Sequence, residues 1–435
     1  MSLTKVSYSM ITGAIVNALD YGVLGNSSDC TAQIQAAIDA TPDGGVLYFP
    51  NPTTDYRFST RLVINKSITI LGDGQYTTRL IAVGCSGFIV TGNTFYVAFK
   101  NIEIGASVRH TTTPNTYIGI EVSGTSVTHP SGHQYNNIFI DGFAYAFKSY
   151  FLWSTVFDNF RCGSCKTGIW AIGLSVNNVL TNSSLSGDST DYGLYLDGST
   201  DPSEGWMISN NLFAGFLASI VGVAVANVIV TGNIFDFNDT AGIIVSDNGI
   251  GNMGGNWTIS NNYFGMIGSA GTAAIYLRNT VANIQNRGNI IIGNEIVVYQ
   301  GASACLYGVY AQGVNATNNT IVGNTIKGFT NADIVGSVSD TITGNQCTSA
   351  SPSIANITGG AVVSNNIGTV YYQRAVNYTT VGMLKITYDQ DVPTTGTWAR
   401  GDWCMNTAAT SGGTPGWVCT TAGTPGTWKA MANLA

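Results

Sequence analysis

The sequence predicts an all-β protein, a parallel β-helix solenoid with a short capping helix before it and a small β-rich domain after it. Three observations lead to this fold class. Only 9% of the 435 residues are charged, against about 25% in average proteins. Glycine is abundant, at 53 residues, and the many turn formers and β-branched residues are typical of short strands. A six-residue theme also recurs along the chain.

The recurring theme is an apolar residue, two small or polar residues, asparagine, any residue and a large apolar residue. Its clearest copies are ISNNLF (208–213), VTGNIF (230–235), ISNNYF (259–264), IIGNEI (291–296), IVGNTI (321–326) and ITGNQC (342–347). The aligned asparagines, with one from a weaker copy, are Asn211, Asn233, Asn262, Asn294, Asn324, Asn345 and Asn366. Periods of 20–50 residues indicate a solenoid, and the strand-like unit favours one β-helix coil per copy.

Each position of the theme has a predicted role. Asparagine tolerates a left-handed backbone and bonds to neighbouring backbone groups, so it suits a turn between two strands. We expect the asparagines to stack into a ladder. The last apolar residue should point into the core and stack on its counterparts in Phe213, Phe235, Phe264, Ile296, Ile326 and Cys347.

A capping helix is predicted near the start. Asp29 occupies a helix N-cap position, and Ile34, Ala37 and Ile38 form one apolar face. PDGG (42–45) ends the helix before a strand, VLYFP (46–50). Such a helix would cover the open end of the solenoid. The predicted domains are therefore a lead and capping helix in 1–50, a β-helix in 51–370 and a C-terminal β-rich domain in 371–435.

Charge and hydropathy exclude two partner classes. The net charge of −7 and the lack of a basic run argue against nucleic acid. The opening MSLTKVSYSM has no apolar signal core. The longest apolar stretch, FLASIVGVAVANVIV (216–230), is shorter than the roughly 20 residues of a membrane span. We therefore expect buried strands there and no membrane insertion.

The eight cysteines are interpreted as small buried side chains. Cys162 and Cys165 form a CxxC pair, which would suit half a zinc site or a redox pair, but no second CxxC and no nearby histidine accompanies it. No metal and no cofactor is therefore expected. Cys404 and Cys419 could pair if they were oxidised. Four tryptophans near them, Trp398, Trp403, Trp417 and Trp428, predict the core of a small domain or else a sugar-binding surface.

Three segments carry a resemblance to known proteins. NALDYGVLGNSSDCTAQIQAAIDATPDGGVLYFP (17–50) resembles the N-terminal part of the pectate-lyase-like superfamily of right-handed parallel β-helices. TKVSYSMITGA (4–14) and GDWCMNTAATSGGTPGWVCTTAGTPGTWKAM (401–431) are similar to the start and the end of phage and prophage tailspike proteins. The NTD, DD, GHG and RIK motifs of polygalacturonases are missing, and fold alone does not separate the hydrolase members from the lyases.

The resemblance implies a homotrimeric tailspike of a virion tail, assembled in the host cytoplasm without a signal peptide. Its expected partners are the phage tail or baseplate and a bacterial surface polysaccharide, either capsule or O-antigen. The expected activity is endo-glycosidic hydrolysis of that polysaccharide. Two alternatives stay open, a polysaccharide lyase acting on an acidic capsule and a receptor-binding spike without catalysis.

Candidate catalytic residues follow from the chemistry of hydrolysis, which requires a carboxylic acid and a carboxylate base or nucleophile. Asp236 and Asp239 directly follow VTGNIF, and Glu204 lies one coil earlier. This order resembles carboxylate groups of tailspike endoglycosidases, although turn and surface roles are the alternative. Trp170, Trp206 and Trp257 are predicted to bind substrate through their ring faces, with core packing as the alternative.

Overall fold

The computed structural model describes residues 15–92, 94–248, 254–266, 273–279, 287–299, 305–312, 316–337, 339–349, 354–355, 362–364, 366 and 386–433. The chain divides into two compact units, Met1–Gln373 and Arg374–Ala435. The predicted lead TKVSYSMITGA (4–14) lies outside the described residues.

The first unit begins with helices and continues as strands. A 3-10 helix covers Ala18–Tyr21 and an α-helix covers Thr31–Ala40. The larger sheet, called sheet A, has 23 strands. They are Val16–Asn17, Val46–Tyr48, Tyr56–Phe58, Thr69–Leu71, Arg79–Ala82, Ala98–Ala106, Gln134–Asp141, Val156–Gly163, Val179–Thr181, Ser184–Ser186, Met207–Ser209, Leu212–Ala214, Ile229–Thr231, Ile234–Asn238, Thr258–Ser260, Tyr263–Met266, Ile290–Ile292, Glu295–Val298, Thr320–Val322, Thr325–Lys327, Thr341–Thr343, Gln346–Cys347 and Val362–Ser364.

A second sheet, called sheet B, has 12 strands. They are Leu62–Ile64, Phe88–Val90, Ile118–Val122, Tyr145–Tyr150, Thr167–Ile172, Tyr192–Asp197, Ala218–Val223, Ala241–Ser246, Ala273–Arg278, Tyr307–Ala311, Ala332–Val335 and Ile354–Ala355. A two-stranded sheet joins Ser203–Glu204 to Val225–Ala226.

One coil shows how the chain winds. Met207–Ser209 and Leu212–Ala214 belong to sheet A, and Ala218–Val223 then crosses to sheet B. The next coil returns with Ile229–Thr231, which pairs in parallel with Met207–Ser209. Every strand pair of sheets A and B among the described residues is parallel in the same way. The predicted parallel β-helix is therefore confirmed, and residues 216–230 form strands as predicted.

The predicted core stack is also confirmed. Phe235 is aligned with Phe213 in one neighbouring coil and Phe264 in the other. The ring centroids are 5.3 and 4.6 Å apart, and the rings are nearly parallel, at 17° and 21°. Ile296, Ile326 and Cys347 continue the stack in register. All six side chains are buried.

The asparagine ladder forms as predicted, but the left-handed residue is a different one. The side chain of Asn211 donates to Oδ1 of Asn233 at 3.0 Å, and Asn233 donates to Asn262 at 3.0 Å. The ladder continues through Asn294, Asn324, Asn345 and Asn366. The left-handed backbone belongs to the preceding residue, such as Asn210 or Gly232. The ladder asparagine thus satisfies backbone groups inside the core, where an unpaired group would be costly.

A second, shorter ladder ends in an aspartate. Nδ2 of Asn289 donates to Asn319 at 2.9 Å, and Asn319 in turn donates to Oδ1 of Asp340 at 3.0 Å. The backbone N–H of Ser337 donates to the other carboxylate oxygen at 2.7 Å. Burial raises the pKa of Asp340 to about 6, although these hydrogen bonds oppose the rise.

The capping helix differs from prediction at its first residue. Ile34, Ala37 and Ile38 are buried as expected. The N-cap position belongs to Cys30, whose side chain makes no capping hydrogen bond. Asp29 lies one residue earlier and still accepts from the backbone N–H of Thr31 at 2.8 Å. Its carboxylate therefore stabilises the first turn from outside the N-cap.

The second unit contains a four-stranded sheet of Ile386–Asp389, Trp403–Asn406, Gly416–Thr421 and Thr427–Ala430. Trp398 is buried and packs edge-on against Trp428, with ring centroids 4.9 Å apart. Trp398 has the predicted core role, whereas Trp428 is half-buried and Trp403 is exposed. Cys404 and Cys419 are buried, and the Sγ of Cys404 donates to the Asp391 carbonyl at 3.8 Å.

The other six cysteines agree with the prediction of small buried side chains. All of them are free, and Cys85 is the one that is not fully buried. Burial raises the pKa of Cys162 to about 12 and also raises that of Cys165. The thiolate is the reactive form of cysteine, so burial disfavours that form in both thiols of the CxxC pair.

The stack predicts the cost of truncating Phe235. Phe235→Ala should lower the free energy of unfolding by about 3–5 kcal/mol, because the neighbouring rings of Phe213 and Phe264 cannot fill the cavity. Ile234→Ala is the matched control, since the Ile234 side chain is exposed and its loss should cost much less. Urea unfolding measures both, and equal losses would contradict the stack.

The end of the second ladder predicts a pH effect on stability. The carboxyl of Asp340 has a higher pKa in the folded chain than its ordinary 3.8. Its contribution is therefore fully present below about pH 4 and is lost as the pH rises to about 6. The loss should be on the order of 2–3 kcal/mol.

Asp340→Asn cannot ionise and should lack this part of the pH dependence. Urea midpoints of the wild type and the variant, measured at intervals between pH 4 and 7, would show it. The wild type should lose stability relative to the variant as the pH rises. Parallel curves would mean that Asp340 does not titrate in this range.

Candidate functional site

The stretch after VTGNIF contains a β-bulge. Asp236 is paired with Gly265, but the next pair joins Asn238 to Met266, so Phe237 is an extra residue. Phe237 has a left-handed backbone, with φ of 53°, and its side chain is 50% exposed. Bulges often redirect side chains beside functional sites. Asp236 faces outward by alternation with the buried Phe235, and the bulge leaves Phe237 exposed beside it.

Asp236 belongs to a small tyrosine cluster. The Tyr299 hydroxyl donates to Oδ1 of Asp236 at 2.7 Å, and the Tyr263 hydroxyl lies 3.3 Å from that of Tyr299. Burial, followed by these hydrogen bonds, raises the pKa of Tyr299. The Tyr299 hydroxyl occupies the space above Gly265, where a Cβ atom would lie 2.5 Å from it. Asp239 follows the bulge and is half-buried.

Glu204 lies in a different part of the coil from Asp236. It is exposed, pairs with Ala226 in the two-stranded sheet and accepts from Nδ2 of Asn227 at 3.2 Å. The neighbour of Asp236 in the preceding coil is Ala214, which follows Glu204 by ten residues and lies beyond the asparagine turn. The strand register therefore does not align Glu204 with Asp236.

Two of the three predicted substrate-binding tryptophans are core residues. Trp206 and Trp257 are 1% and 0% exposed, so the prediction of a sugar-binding role is wrong for both. Trp257 fills the space above Gly222 and donates from its ring nitrogen to the Val225 carbonyl at 2.9 Å. Trp170 remains partly exposed, stacks on Tyr195 and carries the Lys148 ammonium 4.4 Å above its ring.

A charged groove that the sequence analysis missed lies on sheet A, nearer the N-terminus. Its cavity has a volume of about 570 Å³. The charged residues that line it are Asp55, Arg57, Arg79, Glu103, Arg109 and Asp141. The three carboxylates are buried, whereas the three arginine side chains are partly exposed. We call this cavity the charged groove.

Register places three of these residues at one position of successive coils. Arg79 is paired with Glu103, and Asp55 directly precedes Tyr56, which is paired with Leu80. Asp55, Arg79 and Glu103 therefore form a row along the solenoid axis. Neighbouring strands lie about 4.8 Å apart, so the Cα atoms of Asp55 and Glu103 are about 10 Å apart, with Arg79 between them.

Asp141 lies beside this row in a glycine-lined gap. It is paired with Gly105 on one side and Gly163 on the other. A Cβ atom at Gly105 would lie 2.9 Å from Cδ1 of Ile81, so a side chain there would crowd the groove. Arg109, from the segment after the strand Ala98–Ala106, donates from Nε to Oδ2 of Asp141 at 2.8 Å.

The carboxylates of the charged groove differ in acidity. Burial raises the pKa of Glu103, with a further rise from Asp141, although Arg79 opposes it with a 3.0 Å ion pair. Burial also raises the pKa of Asp141 against the opposing charge of Arg109. Burial acts on Asp55 in the same direction, but hydrogen bonds from Arg57 and Ser27 outweigh it and lower the pKa of Asp55. The groove thus combines one carboxyl whose pKa is raised, Glu103, with one whose pKa is lowered, Asp55.

The sequence did carry a signal for this groove. Asp55, Arg79 and Glu103 are spaced by 24 residues each, which is one coil. The signal was missed because the asparagine theme that defined the coils becomes regular only from Asn211 onward. The recurrence of charged residues at a constant spacing of one coil indicates the row without reference to that theme.

Sheet A holds a second cavity further along the axis. It has a volume of about 470 Å³ and is lined by Asn159, Arg161, Asn182, Ser183, Ser184, Asn210, Asn211, Leu212, Gly232 and Ile234. Register links the two cavities, because Glu103, Phe139 and Arg161 follow one another in a row. Tyr76 packs over Phe139 at 5.2 Å and accepts from Nη1 of Arg161 at 3.2 Å.

Comparisons with known proteins identify the fold. A family model described as rhamnogalacturonase A/epimerase, pectate lyase-like, matches residues 15–121. This match confirms the resemblance predicted from residues 17–50, and it covers most of the charged groove. No curated protein sequence matches the chain significantly.

Two solved structures of one enzyme share the fold. DFA-IIIase from Arthrobacter chlorophenolicus A6 in complex with GF2 is 14% identical, with a TM-score of 0.57 over 84% of this chain and 99% of that one. A second DFA-IIIase structure gives a TM-score of 0.55 at 14% identity over 80% and 86% of the two chains. ORF18 of Geobacillus virus E2 is 18% identical, with a TM-score of 0.49, over 81% of this chain and 60% of its own length. The chain has a pectate-lyase-like β-helix fold.

Two features are absent from the described residues. No helix there has the length and apolar character to cross a membrane. No group of three or more histidine, cysteine, aspartate or glutamate side chains in the same part of the chain is arranged to hold a metal ion.

Proposed function

We propose that the protein is a phage tailspike that binds a bacterial surface polysaccharide and cleaves it by endo-glycosidic hydrolysis in the charged groove. One observation carries the proposal. Glu103 and Asp55 lie in one row, two strands apart, and their pKa values are displaced in opposite directions. Carboxyl groups whose environments separate their pKa values in this way suit the roles of acid and base.

In the proposed reaction Glu103 is the general acid. It donates its proton to the glycosidic oxygen, so the leaving sugar departs as an alcohol. Asp55 is the general base and takes a proton from a water molecule, whose oxygen attacks the anomeric carbon. The roughly 10 Å between the two Cα atoms is compatible with the 6.5–9.5 Å carboxyl separation of inverting enzymes, which leaves room for that water.

The remaining charged side chains have supporting roles. Asp141 raises the pKa of Glu103 further and is itself held by Arg109. Arg79 contacts Glu103 through Nε and lies between the two catalytic carboxyls, where its amino groups can hydrogen-bond to sugar hydroxyls. The glycines beside Asp141 keep the groove open for a sugar ring.

Sheet A supports an endo-acting rather than an end-trimming enzyme. The second cavity continues the row of the charged groove toward the C-terminus, through Phe139 and Arg161 to Ser184. Tyr76 and Phe139 place aromatic surface between the two cavities. A long open path of this kind accommodates several sugars of a polymer on either side of the cleaved bond.

The three arginines give a specific reason to keep the lyase as a second candidate. A lyase needs a cation to neutralise the uronate and a base to remove a proton from carbon, and Arg57, Arg79 and Arg109 line the cavity. The predicted trio of Glu204, Asp236 and Asp239 remains a competing proposal for hydrolysis. A spike that binds without cleavage is the third.

The catalytic proposal predicts the effect of removing either carboxyl. Glu103→Gln and Asp55→Asn should each lower turnover by at least about a hundredfold, because a general acid or base contributes about that much. Glu295→Gln is the control, since Glu295 is an exposed carboxylate on the same sheet. The assay incubates each protein with purified bacterial surface polysaccharides and analyses the products by mass spectrometry.

The same assay separates the candidates. A product with an unsaturated uronate would mean lyase, and its absence with a gain of one water per cut would mean hydrolase. Loss of cleavage in Glu204→Gln, Asp236→Asn and Asp239→Asn, with full cleavage in Glu103→Gln, would place the reaction at the predicted trio. If no polysaccharide is cleaved but one is bound, the spike is a binder.

The tailspike proposal also predicts assembly. The chain should form a parallel homotrimer, as the resemblance to tailspikes implies, so light scattering at micromolar concentration should give three times the 45.7 kDa mass of the chain. A monomer mass would count against this part of the proposal without affecting the catalytic residues, which all lie in one chain.

A further inference from the structure

A group of partly exposed aromatic side chains lies at a corner of the coils, away from the charged groove. At this corner, single bridges align Phe95, Ser131 and Trp153 in successive coils, and the same row continues through Val176 to Glu204. The residue after each bridge has a left-handed backbone. These residues are Tyr96, Gly132, Ser154, Asn177, Gly205, Asn227, Asn256 and Gly288.

Tyr96 is the exception in this series. Glycine, asparagine and serine are small residues suited to tight turns, whereas a bulky residue with φ above zero is an outlier. Tyr96 has a φ of 57° and its side chain is 73% exposed. Strained residues of this kind concentrate at functional positions.

The ring of Tyr96 is supported by the next coil. It lies directly over Gly132, where a Cβ atom would be 2.6 Å from Cδ1 and Cε1 of the ring. The absence of a side chain on Gly132 lets the ring lie close to the backbone. One ring face is thus supported by the protein, and the other faces solvent.

Phe151 repeats this arrangement at the neighbouring corner. It has a left-handed backbone, with φ of 56°, and its ring lies over Gly173, where a Cβ atom would be 3.0 Å from Cε1 and Cζ. Two aromatic residues in one region therefore share a strained backbone and a glycine beneath the ring.

Two further aromatic rings, those of His129 and Trp153, lie beside Phe151. His129 stacks on Trp153, with ring centroids 4.2 Å apart and an angle of 24°, and it meets Phe151 edge-on at 6.2 Å. The ring nitrogen of Trp153 donates to the Leu174 carbonyl at 2.9 Å, which fixes the indole. We call Phe95, Tyr96, His129, Phe151 and Trp153 the aromatic platform.

We infer that the aromatic platform is a binding site for a neutral oligosaccharide, separate from the charged groove. Flat aromatic faces pack on the apolar faces of pyranose rings, and the imidazole of His129 can hydrogen-bond to a hydroxyl beside them. The platform contains no aspartate, glutamate, lysine or arginine. A sugar whose linkages and hydroxyls are equatorial presents the broadest apolar face and is the class that fits.

The extent of the platform favours a saccharide over another protein. Four partly exposed aromatic rings and one imidazole offer at most roughly 500 Å². A stable protein interface buries about 800 Å² on each partner. The platform is therefore too small to hold a second chain by itself, whereas a few sugar rings would cover it.

The test uses Tyr96→Asn, which is designed to keep the fold. Asparagine occupies the same left-handed position in later coils, such as Asn177 and Asn227, so the thermal midpoint of the variant should equal or exceed that of the wild type. Tyr388→Asn is the matched control, because Tyr388 is 71% exposed and lies in the second unit.

The probes are cellohexaose and chitohexaose, two neutral oligosaccharides with equatorial linkages, titrated calorimetrically at millimolar concentration. The wild type and Tyr388→Asn should bind at least one of them equally. Tyr96→Asn should weaken binding about three- to tenfold, the effect of losing one aromatic stack, and Tyr96→Asn with Phe151→Gly should remove it.

Three results would overturn the inference. The wild type could fail to bind both probes, or Tyr96→Asn could bind as tightly as the wild type. The variant could also lower the mass in light scattering while saccharide binding stays unchanged, which would make the platform a protein contact. Because neither variant touches the charged groove, cleavage of a substrate there would be judged separately.

Discussion

The parallel pairing of successive coils, held by the buried asparagine ladder, is the constraint on which the rest of the structure depends. Each ladder asparagine bonds to the backbone and to the asparagine of the next coil, so polar turn groups are satisfied inside an apolar core. This fixes the register of both flanking strands. Any side chain one coil away then lies about 4.8 Å along the axis. The solenoid is thus a scaffold on which distant residues of the sequence are placed at regular heights.

The charged groove and the aromatic platform use this scaffold in different ways. In the groove, residues at equal spacing build a row in which Arg79 separates two carboxyls, and burial and the arginines then give the carboxyls different acidities. In the platform, Tyr96 occupies a left-handed turn position that holds a small residue in the other coils, and its ring is therefore exposed. Both depend on glycines in the adjacent coil, since a side chain at Gly105 or Gly132 would occupy the space.

Function in such a protein is decided by a few outward residues, because the inward ones are committed to packing. Trp206 and Trp257 illustrate this. Tryptophan suits a sugar-binding surface and a core equally well, and the direction of its side chain settles which it does. Phe235 and Phe237 also differ in the direction of their side chains. The Phe235 ring stacks in the core, whereas the bulge two positions later leaves the Phe237 ring exposed.

The sequence by itself determined the solenoid, the core stack and the ladder, because each rests on a local pattern repeated at one period. It also placed the apolar face of the capping helix. For Glu204 and Asp236, only the tertiary structure decided whether the two carboxylates share a row. Glu204 and Asp236 are close in coil count but lie in different rows, whereas Asp55 and Glu103, 48 residues apart, share one. The reason is physical: strand register and the bulge set where a side chain leaves the coil, and insertions of varying length between turns hide that position from a one-dimensional count.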